Sequence, residues 1–385
     1  TLTEEYAESF PPGYRLGAGP EEAAIDIIEM SKLEGEADRR VRLYRNSDDK
    51  PDQLRLKLYS QTNVTLSDAV PALENFGFKA IEEISTPLDR GRKGHMHRFL
   101  LARHDGGDAV PLLERANILQ DTLAAVLTGL AEDDRFNELI VSAGMEPSAV
   151  ILMRAIFRYL RQTGMHYGMA TVVDTLRREQ HIAHALTGLF GAMHDPAFKG
   201  DRNKAIKAGD EAIMTGLASV SAIDEDRILR LIQAVIHACL RTNFYVESGR
   251  LALAFKIEST KVPGLPKPLP WREIWVYSPR VEGIHLRSGP VARGGLRWSD
   301  RRDDFRTEIL GLMKAQRVKN AVIVPAGAKG GFYPKQLPNP AMDRDAWLAE
   351  GTESYRIFIR SLLSITDNIV SGKVVHPKGL VVRDD

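Results

Sequence analysis

The spacing of hydrophobic and polar positions divides the chain into three regions. In residues 39–104, short stretches of alternation predict strands, and a helical repeat separates the second strand from the third. The predicted strands are residues 42–45, 54–59, 78–84 and 95–102, and the predicted helix carries Leu66, Val70, Leu73 and Phe76 before Gly77. This order predicts a small α+β unit near the start of the chain.

The second region, residues 108–245, has mainly helical periodicity. Apolar residues from Leu112 to Leu130 share one helix face, and a second such stretch follows at 148–163. Further helices are predicted at 171–193, 202–217 and 224–240. Apolar stripes at this spacing are far more often packing surfaces than functional sites. We therefore interpret the region as an all-α linking domain.

The third region begins after Tyr245 and mixes strands, turns and one amphipathic helix. Strands are predicted at 251–257 and 271–277, with a stiff proline-rich connector between them. The helix ends at Lys319, and a short buried strand is predicted at 321–324. One face of this helix carries Phe305, Ile309, Leu312 and Met313. The patterns thus predict a multidomain α+β protein with domains at residues 1–107, 108–245 and 246–385.

Composition narrows the class of protein. Hydrophobic residues at 43% and charged residues at 27% are typical of a soluble globular protein, and a net charge of +1 gives no general attraction to nucleic acid or anionic lipid. No apolar stretch reaches the roughly eighteen residues of a membrane span. The lone Cys239, in a predicted helix, excludes an intrachain disulfide and indicates a buried thiol in a cytoplasmic protein. Because the chain begins at Thr1 without an initiator Met, we interpret it as part of a longer protein.

Candidate chemistry lies in two basic elements that contain paired glycines. The first carries Arg293 before Gly294 and Gly295, and the second carries Lys329 before Gly330 and Gly331. Glycines beside a basic residue allow close approach of a ligand and offer unhindered N–H donors. Arg293, Lys319 and Lys329 together predict a cationic pocket for a substrate that bears carboxylates.

A lysine in such a pocket can also act as a base. Desolvation and nearby like charges lower the pKa of a lysine, so that the neutral amine accepts a proton near neutral pH. Amino-acid oxidation needs such a base, to take a proton from the water that attacks the imine carbon. The alternative is structural, since Gly-Gly beside arginine is common in turns and lysine before Gly-Gly often lies in a solvated loop. The second element is not a phosphate loop, because Gly330 follows Lys329 where Ser or Thr is required.

Taken together, these elements resemble a known family. Ala-Arg-Gly-Gly-Leu-Arg-Trp at 292–298, a helix ending in Lys319, and Pro-Ala-Gly-Ala-Lys-Gly-Gly at 325–331 resemble the substrate domain of the glutamate, leucine, phenylalanine and valine dehydrogenases. Residues 157–162, 277–287 and 314–325 are similar to the large bacterial NAD-specific glutamate dehydrogenases. The resemblance covers nearly the whole chain and is most specific over residues 272–333.

A second resemblance concerns the first region. Leu-Glu-Asn-Phe-Gly-Phe at 73–78 resembles the helix-to-strand turn of ACT-like regulatory modules. It implies an antiparallel sheet with a helix on one face and a small-molecule effector that binds there. An assembly or spacer domain is the alternative interpretation.

The dehydrogenase resemblance implies oxidative deamination of L-glutamate to 2-oxoglutarate and ammonium, with hydride transfer to NAD. It implies that Lys329 is the catalytic lysine, that Lys319 holds the α-carboxylate and that Arg293 holds the side-chain carboxylate, with the four glycines lining the substrate. Two departures stand out in this sequence. Arginine at 293 replaces the usual lysine, and residues 325–329 are one residue shorter than the family's Pro-x-Gly-Gly-x-Lys.

The nucleotide half of such an active site is not expected in this chain. No Gly-x-Gly-x-x-Gly follows a predicted strand. The resemblance therefore implies that NAD and the catalytic aspartate belong to a C-terminal portion of a longer parent, beyond Asp385. We expect the isolated chain to be inactive and the full-length parent to be a homo-oligomer.

Three further interpretations complete the sequence analysis. The pairs His95/His97 and His181/His184 share faces of their elements but lack further ligands at suitable spacing, so no metal site is expected. Another amino-acid dehydrogenase is one alternative function, and it would need an apolar pocket where Arg293 lies. A regulatory or scaffolding ACT-containing protein with a non-catalytic amino-acid pocket is the other alternative.

Overall fold

The chain folds into two compact units in a computed structural model that describes residues 1–6, 8–89, 93–319 and 326–383. The first unit spans Thr1–Val150 and the second spans Ile151–Asp385. Each unit contains helices and a sheet, so the prediction of a mixed α and β protein with more than one domain is confirmed. No helix in the described part of the chain is long and apolar enough to cross a membrane.

Unit 1 combines N-terminal helices, an antiparallel sheet and shorter helices at its end. In residues 1–6, 8–89 and 93–150, the sheet has the strand order β1-β2-β4-β3. Its strands are β1 (Arg39–Tyr44), β2 (Gln53–Ser60), β3 (Phe78–Leu88) and β4 (Gly94–Arg103). The helices are α1 (Leu2–Tyr6), α2 (Pro12–Gly17), α3 (Pro20–Ser31), α4 (Leu66–Asn75), α5 (Val110–Glu114), α6 (Ala116–Leu127) and α7 (Glu138–Ser142), with a 3-10 turn at Arg135–Asn137.

The strands and the helix predicted for this unit are confirmed. Gly77 follows α4 with a φ of 84°, a left-handed conformation that glycine adopts without strain and that ends the helix. Strand β2 is buried on both faces, since Leu56 and Lys57 on opposite faces are only 1% and 2% exposed. The second face is covered because Asp26 of α3 accepts hydrogen bonds from Lys57 Nζ and Tyr59 Oη, both at 2.6 Å.

Unit 2 begins with helices and continues into a larger sheet. Its helices are α8 (Pro147–Gln162), α9 (Met169–Arg178), α10 (Gln180–His194), α11 (Arg202–Leu217), α12 (Ile223–Ala238), α13 (Phe305–Lys319) and α14 (Arg344–Ser364). Its strands are β5 (Cys239–Thr242), β6 (Leu253–Ile257), β7 (Arg272–Tyr277), β8 (Val281–Arg287), β9 (Ala292–Arg293), β10 (Leu296–Trp298), β11 (Ala326–Pro334), β12 (Asn368–Val370) and β13 (Lys373–Val375). Single 3-10 turns lie at Glu247–Arg250 and Ser259–Lys261.

The large sheet of unit 2 has helices on both faces. Within residues 151–319 and 326–383, its strand order is β10-β11-β8-β7-β6-β5, and β9 also pairs with β11. On one face, Phe358 of α14 stacks on Phe332 of β11, with ring centroids 6.0 Å apart. On the other face, Trp275 of β7 donates from Nε1 to the carbonyl of Ala155 in α8 and stacks on Phe305 of α13. The core of the unit therefore lies on both sides of β7, β8 and β11.

Two predictions for this unit differ from the structure. Residues 171–193 form two helices rather than one, because the chain turns at Glu179 with φ of −101° and ψ of 45°. The helix predicted to reach residue 240 ends at Ala238, and Cys239 begins β5, where it pairs with Ile257. The prediction that the Cys239 thiol is buried is confirmed. The strand predicted at 321–324 lies outside the described residues.

Candidate functional site

The two basic elements of the sequence become neighbours along one strand. Both β9 and β10 run parallel to β11, with Arg293 paired to Gly327 and Leu296 paired to Gly330. The register is the same on both sides of the gap between β9 and β10. The double glycine that fills this gap therefore lies beside Ala328 and Lys329.

Gly294 approaches β11 too closely for any side chain. A Cβ atom built at Gly294 would lie 1.5 Å from the carbonyl oxygen of Ala328, far inside contact distance. Its neighbour Gly295 is less crowded, since a Cβ there would lie 3.8 Å from Lys329 Nζ, an ordinary contact. The carbonyl of Gly295 accepts a hydrogen bond of 3.2 Å from the Gly330 amide. The Lys329 ammonium thus lies against the backbone of the double glycine.

Lys329 and Arg293 lie on one face of the sheet. Alternate residues of a strand share a face, and Arg293 is in register with Gly327, two residues before Lys329. Lys329 is half-buried and Arg293 is exposed. Among the residues that the structure describes, neither side chain has a carboxylate partner. Lys329 lies within β11 and pairs with Leu286 of β8, so it does not lie in the solvated loop of the structural alternative.

Helix α13 covers this same face. A Cβ atom at Gly331 would lie 2.3 Å from Ile309 Cδ1, so the helix packs directly on the strand. The order β10, α13, β11 with parallel strands is a crossover connection, which runs the helix antiparallel to the strands. The C-terminal end of α13 at Lys319 is therefore directed toward the end of the sheet that holds Arg293. The Lys319 side chain itself lies outside the described residues.

The glycines after Lys329 have a role in packing. A Cβ atom at Gly330 would lie 2.4 Å from Leu296 Cδ2 and 3.0 Å from His285 Cδ2, on the face opposite to Lys329. The Gly330 N–H already donates to Gly295, so the sequence expectation of an unhindered donor is wrong at this position. Gly331 allows α13 to approach. A role of these glycines in substrate binding stays a prediction.

Buried ion pairs hold the helices of unit 2 against its sheet. Arg306 of α13 bonds both carboxylate oxygens of Glu273 of β7, at 2.8 and 2.6 Å, with both side chains fully buried. Arg158 of α8 grips Glu282 of β8 in the same bidentate way, at 2.9 and 3.0 Å. The first pair fixes α13, and with it the face that carries Lys329, and the second pair fixes α8. Hydrophobic periodicity could not reveal them, because charged residues are normally exposed.

Two further titratable groups near the sheet were missed by the sequence analysis. Burial lowers the pKa of Lys335, just after β11, to about 7, and its Nζ donates to the carbonyl of Ser278 at 3.0 Å. Burial and the nearby charge of Arg287 lower the pKa of His285 to about 4. His285 lies on the face opposite to Lys329, and Lys335 lies roughly 20 Å along the strand from it at 3.3 Å per residue. Neither belongs to the site around Lys329.

The described residues contain neither a cluster of metal-ligating side chains nor a glycine-rich turn between β10 and α13. No group of three or more metal-ligating side chains is found in the described ranges. A dinucleotide would place its pyrophosphate at the connection between β10 and α13, where glycines and an open helix N-terminus are needed. That connection contains no glycine and carries Asp300, Asp303 and Asp304, of which Asp303 pairs with Arg158 and Asp304 with Arg301.

Three family models match successive parts of the chain. Residues 38–113 match the glutamate dehydrogenase ACT3 domain, and residues 131–196 match glutamate dehydrogenase helical motif 3. Residues 212–385 match the catalytic domain of bacterial NAD-glutamate dehydrogenase. The order of the matches is the order of the three regions found in the sequence.

Curated relatives agree with these matches along the whole chain. The NAD-specific glutamate dehydrogenase of Pseudomonas aeruginosa is 41% identical over 391 residues, which cover 99% of this chain and 24% of the relative. Those of Halomonas elongata and Mycobacterium tuberculosis are each 40% identical, over 100% and 99% of this chain and 24% of each relative. The chain thus spans about a quarter of the length of the curated relatives it matches.

Proposed function

The chain belongs to the family of bacterial NAD-specific glutamate dehydrogenases, and we propose that its second unit supplies the amino-acid half of the active site in a longer protein. The proposed reaction of that protein converts L-glutamate, water and NAD⁺ to 2-oxoglutarate, ammonium and NADH. One observation carries the proposal. The shared register of β9 and β10 along β11 brings the double glycine against Lys329, with Arg293 on the same face.

This arrangement suits a substrate with two carboxylates. Lys329 and Arg293 have no carboxylate partner within the described part of the chain, so their charge is available to a ligand. A guanidinium presents a planar pair of donors, which matches a carboxylate in a bidentate way. We assign Arg293 to the side-chain carboxylate and Lys319 to the α-carboxylate. Glutamate and 2-oxoglutarate, with charge at both ends, fit such a pocket better than an amino acid with an apolar side chain.

Lys329 is assigned the proton transfer. After the amino acid is oxidised to the imine, water adds to the imine carbon, and its proton passes to Lys329 Nζ, which has released its own proton to solvent beforehand and is a neutral amine at this step. Collapse of the resulting carbinolamine releases ammonia and leaves 2-oxoglutarate. Gly294 and Gly295 let the substrate lie close to the backbone beside Nζ, while Gly330 and Gly331 keep β11 and α13 in place around it.

The remaining parts of the proposal concern the longer protein. Residues 1–107 are assigned to an ACT-like module that takes a small effector, 108–245 to a helical linking domain and 246–385 to the N-terminal part of the catalytic substrate domain. NAD and the catalytic aspartate are assigned to the part of the protein outside this chain, so the isolated chain does not turn over glutamate. The longer protein is proposed to be a cytoplasmic homo-oligomer.

Calorimetric titration of this chain with 2-oxoglutarate and L-glutamate tests the site. Lys329→Ala should remove one saturable binding site for these ligands, because it removes the amino group beside the double glycine. Lys314→Ala is the matched control, since Lys314 is an exposed lysine of α13 and its loss should leave binding unchanged. If Lys329→Ala leaves the number of saturable sites unchanged and changes in unit 1 remove all binding, the regulatory alternative is favoured.

Measuring turnover of the longer protein distinguishes two roles of Lys329, its positive charge and its ability to accept a proton. Lys329→Arg keeps a cation but offers no group that loses a proton near neutral pH. Kcat should fall by about 10²- to 10⁴-fold, the usual contribution of a general base, with a much smaller change in KM. Full deaminase activity in the Lys329→Ala variant would overturn the mechanism. Faster turnover of leucine than of glutamate would favour a different amino-acid dehydrogenase.

A further inference from the structure

Unit 1 contains a cleft of about 630 Å³ between its N-terminal helices and one face of its sheet. The helix side of the cleft carries Gly13 and Gly17 of α2 and Glu22 of α3. The sheet side carries Arg42 and Arg98. A volume between about 300 and 1,000 Å³ is usual for small-molecule sites, so the cleft has the size of a binding site.

A row of cations crosses the sheet at the floor of this cleft. Arg42 of β1 is in register with Lys57 of β2, which is in register with Arg98 of β4. Residues directly opposite on neighbouring strands are close enough to interact, and like charges in such positions destabilise a sheet. The row therefore needs negative charge, either from the protein or from a ligand.

The protein neutralises only one side of the row. Glu22 accepts a hydrogen bond of 2.8 Å from Arg42 and a second from Lys57. Burial opposes ionisation of Glu22, but the hydrogen bonds and charges of Arg42 and Lys57 lower the pKa of its carboxyl. Buried Asp26 also accepts a hydrogen bond from Lys57, at 2.6 Å. Arg42 and Lys57 are thus matched by Glu22 and Asp26.

The other side of the row is left with excess positive charge. Arg98 is exposed and has no carboxylate partner among the described residues of unit 1. Arg45, which also lines the cleft, donates to the backbone carbonyls of Asp49 and Lys50 rather than to a carboxylate. These two arginines face a cavity whose wall also includes the ring of Tyr44 and the exposed side chain of Ile84.

We propose that this cleft binds a small dianion, a dicarboxylate or a phosphoryl compound, held by Arg98 and Arg45. Arginine is well suited to both groups because its planar fork matches carboxylate and phosphate oxygens. Tyr44 and Ile84 provide an apolar wall for the carbon skeleton of the ligand.

The helix side of the cleft is built to stay open. A Cβ atom added at Gly13, Gly17 or Gly19 would meet no atom within 4 Å, and none of these glycines has a positive φ. Neither packing nor backbone conformation therefore requires glycine at these positions. Their consequence for the structure is free space above the cations.

The inference deepens the proposed function, because it gives the effector site of the ACT-like module its residues and its class of ligand. A failure of this proposal can be distinguished from a failure of the proposed substrate site. The proposed dianion site lies in unit 1, and its test measures ligand binding and needs no turnover. A dicarboxylate could also bind at Lys329, so each titration is repeated in the Lys329→Ala background.

The test is calorimetric titration of the whole chain with succinate and with inorganic phosphate at constant ionic strength, with acetate as the singly charged reference. Saturable binding of at least one dianion, with acetate weaker, is expected in both backgrounds. Arg98→Gln should weaken that binding about tenfold, as expected for loss of one charge-assisted hydrogen bond. Gly17→Leu should abolish it by filling the cleft, and circular dichroism should show the wild-type fold.

The matched control is Lys79→Gln, which removes an exposed cation of β3 that does not line the cleft and should leave affinity within about twofold. Binding of succinate alone would identify a dicarboxylate as the ligand, and binding of phosphate alone would identify a phosphoryl group. The proposal is overturned if neither dianion binds saturably, or if binding survives both Arg98→Gln and Gly17→Leu.

Discussion

A cationic side chain at the centre of the unit 2 sheet is paired with a carboxylate, whereas two others at its edge are not paired within the described part of the chain. At the centre, Arg306 and Glu273 are both fully buried and joined by two hydrogen bonds. At the edge, Arg293 and Lys329 have no carboxylate partner among the described residues. At the centre, a carboxylate of the protein neutralises the arginine that holds a helix to the sheet. At the edge, we propose that the carboxylates of a bound substrate neutralise the cations.

The physical cost of each arrangement explains the difference. Moving an ion out of water costs several kcal/mol, which a buried cation recovers only from a well-placed partner. Burial would lower the pKa of Arg306, but the adjacent Glu273 carboxylate outweighs it and raises that pKa. Arg293 is exposed and stays hydrated, so it needs no partner in the free protein. An unpaired cation at the edge therefore lowers the free energy of unfolding only slightly as long as water hydrates it.

The largest expected effect comes from breaking the central pair. Glu273→Gln leaves the Arg306 charge buried without a counter-charge, so the free energy of unfolding should fall by about 3–5 kcal/mol. The double variant Glu273→Leu with Arg306→Met should recover most of that loss, because it removes both charges. Urea unfolding of the chain measures both. A loss below about 1 kcal/mol in the single variant would contradict the structural role given to the pair.

A second prediction concerns the close approach at the edge. Gly294→Ala would place a Cβ 1.5 Å from the Ala328 carbonyl oxygen, so β9 must move away from β11. Overpacking of this kind costs about 1–3 kcal/mol, and the cost should appear both in unfolding and as lost binding of 2-oxoglutarate.

The neighbouring glycine is the control for that experiment. Gly295→Ala introduces only an ordinary contact of 3.8 Å with Lys329 Nζ, so stability should stay close to that of the wild type. If both variants are equally stable, the register of the two basic elements is not what the structure shows.

Hydrophobic periodicity correctly predicted the helices and strands whose conformation is determined by the residues within them. The antiparallel strands of unit 1 follow one another closely, and Gly77 carries the turn that ends α4, so their positions could be read locally. Pairing between β9 and β11 joins segments separated by a whole helix, and no local pattern specifies it. The paired-glycine elements predicted a common pocket for Lys329 and Arg293, and the resemblance to a family implied a role for each, but neither predicted the strand pairing.

Local patterns misled wherever a distant partner decided the outcome. Ala-Gly-Ala-Lys-Gly-Gly has the composition of a turn, but pairing with β8 extends it into a strand around Lys329. The apolar run before Cys239 continues the helical pattern, yet pairing with Ile257 turns residue 239 into the start of β5. Neither partner is visible from the segment itself.

His194 represents a third way to bury a polar group, without any partner. Neither of its ring nitrogens has a hydrogen-bond partner within the described residues. Burial, helped by the charges of Arg383 and Arg202, lowers its pKa to about 3. The imidazole is therefore neutral in the folded protein over most of the acidic range, unlike the permanently charged arginines at the centre of the sheet.

This difference predicts a dependence of stability on pH. The folded pKa of His194 lies below the unfolded value near 6.5, so the unfolded state binds more protons between those values, and stability is lost as pH falls below about 6.5. His194→Leu should remove up to about 1.4 kcal/mol per pH unit from that slope. Unfolding between pH 7 and 4.5 measures it, and exposed His166→Leu is the control. Equal slopes for the wild type and His194→Leu would refute the effect.

The smallest expected effect on stability comes from replacing the unpaired cations at the edge of the sheet. Lys329→Met and Arg293→Met remove cations that no described carboxylate neutralises, so each should change the free energy of unfolding by no more than about 0.5 kcal/mol. Each should nevertheless abolish or strongly weaken binding of 2-oxoglutarate at this edge of the sheet, measured in the Gly17→Leu background, in which the cleft of unit 1 is filled. A variant that keeps its stability but loses binding is expected where the replaced residue contacts a ligand and does not stabilise the fold. A loss of stability comparable to that of Glu273→Gln would place Lys329 and Arg293 in the same structural class as the central pair, and the comparison between the two regions would fail.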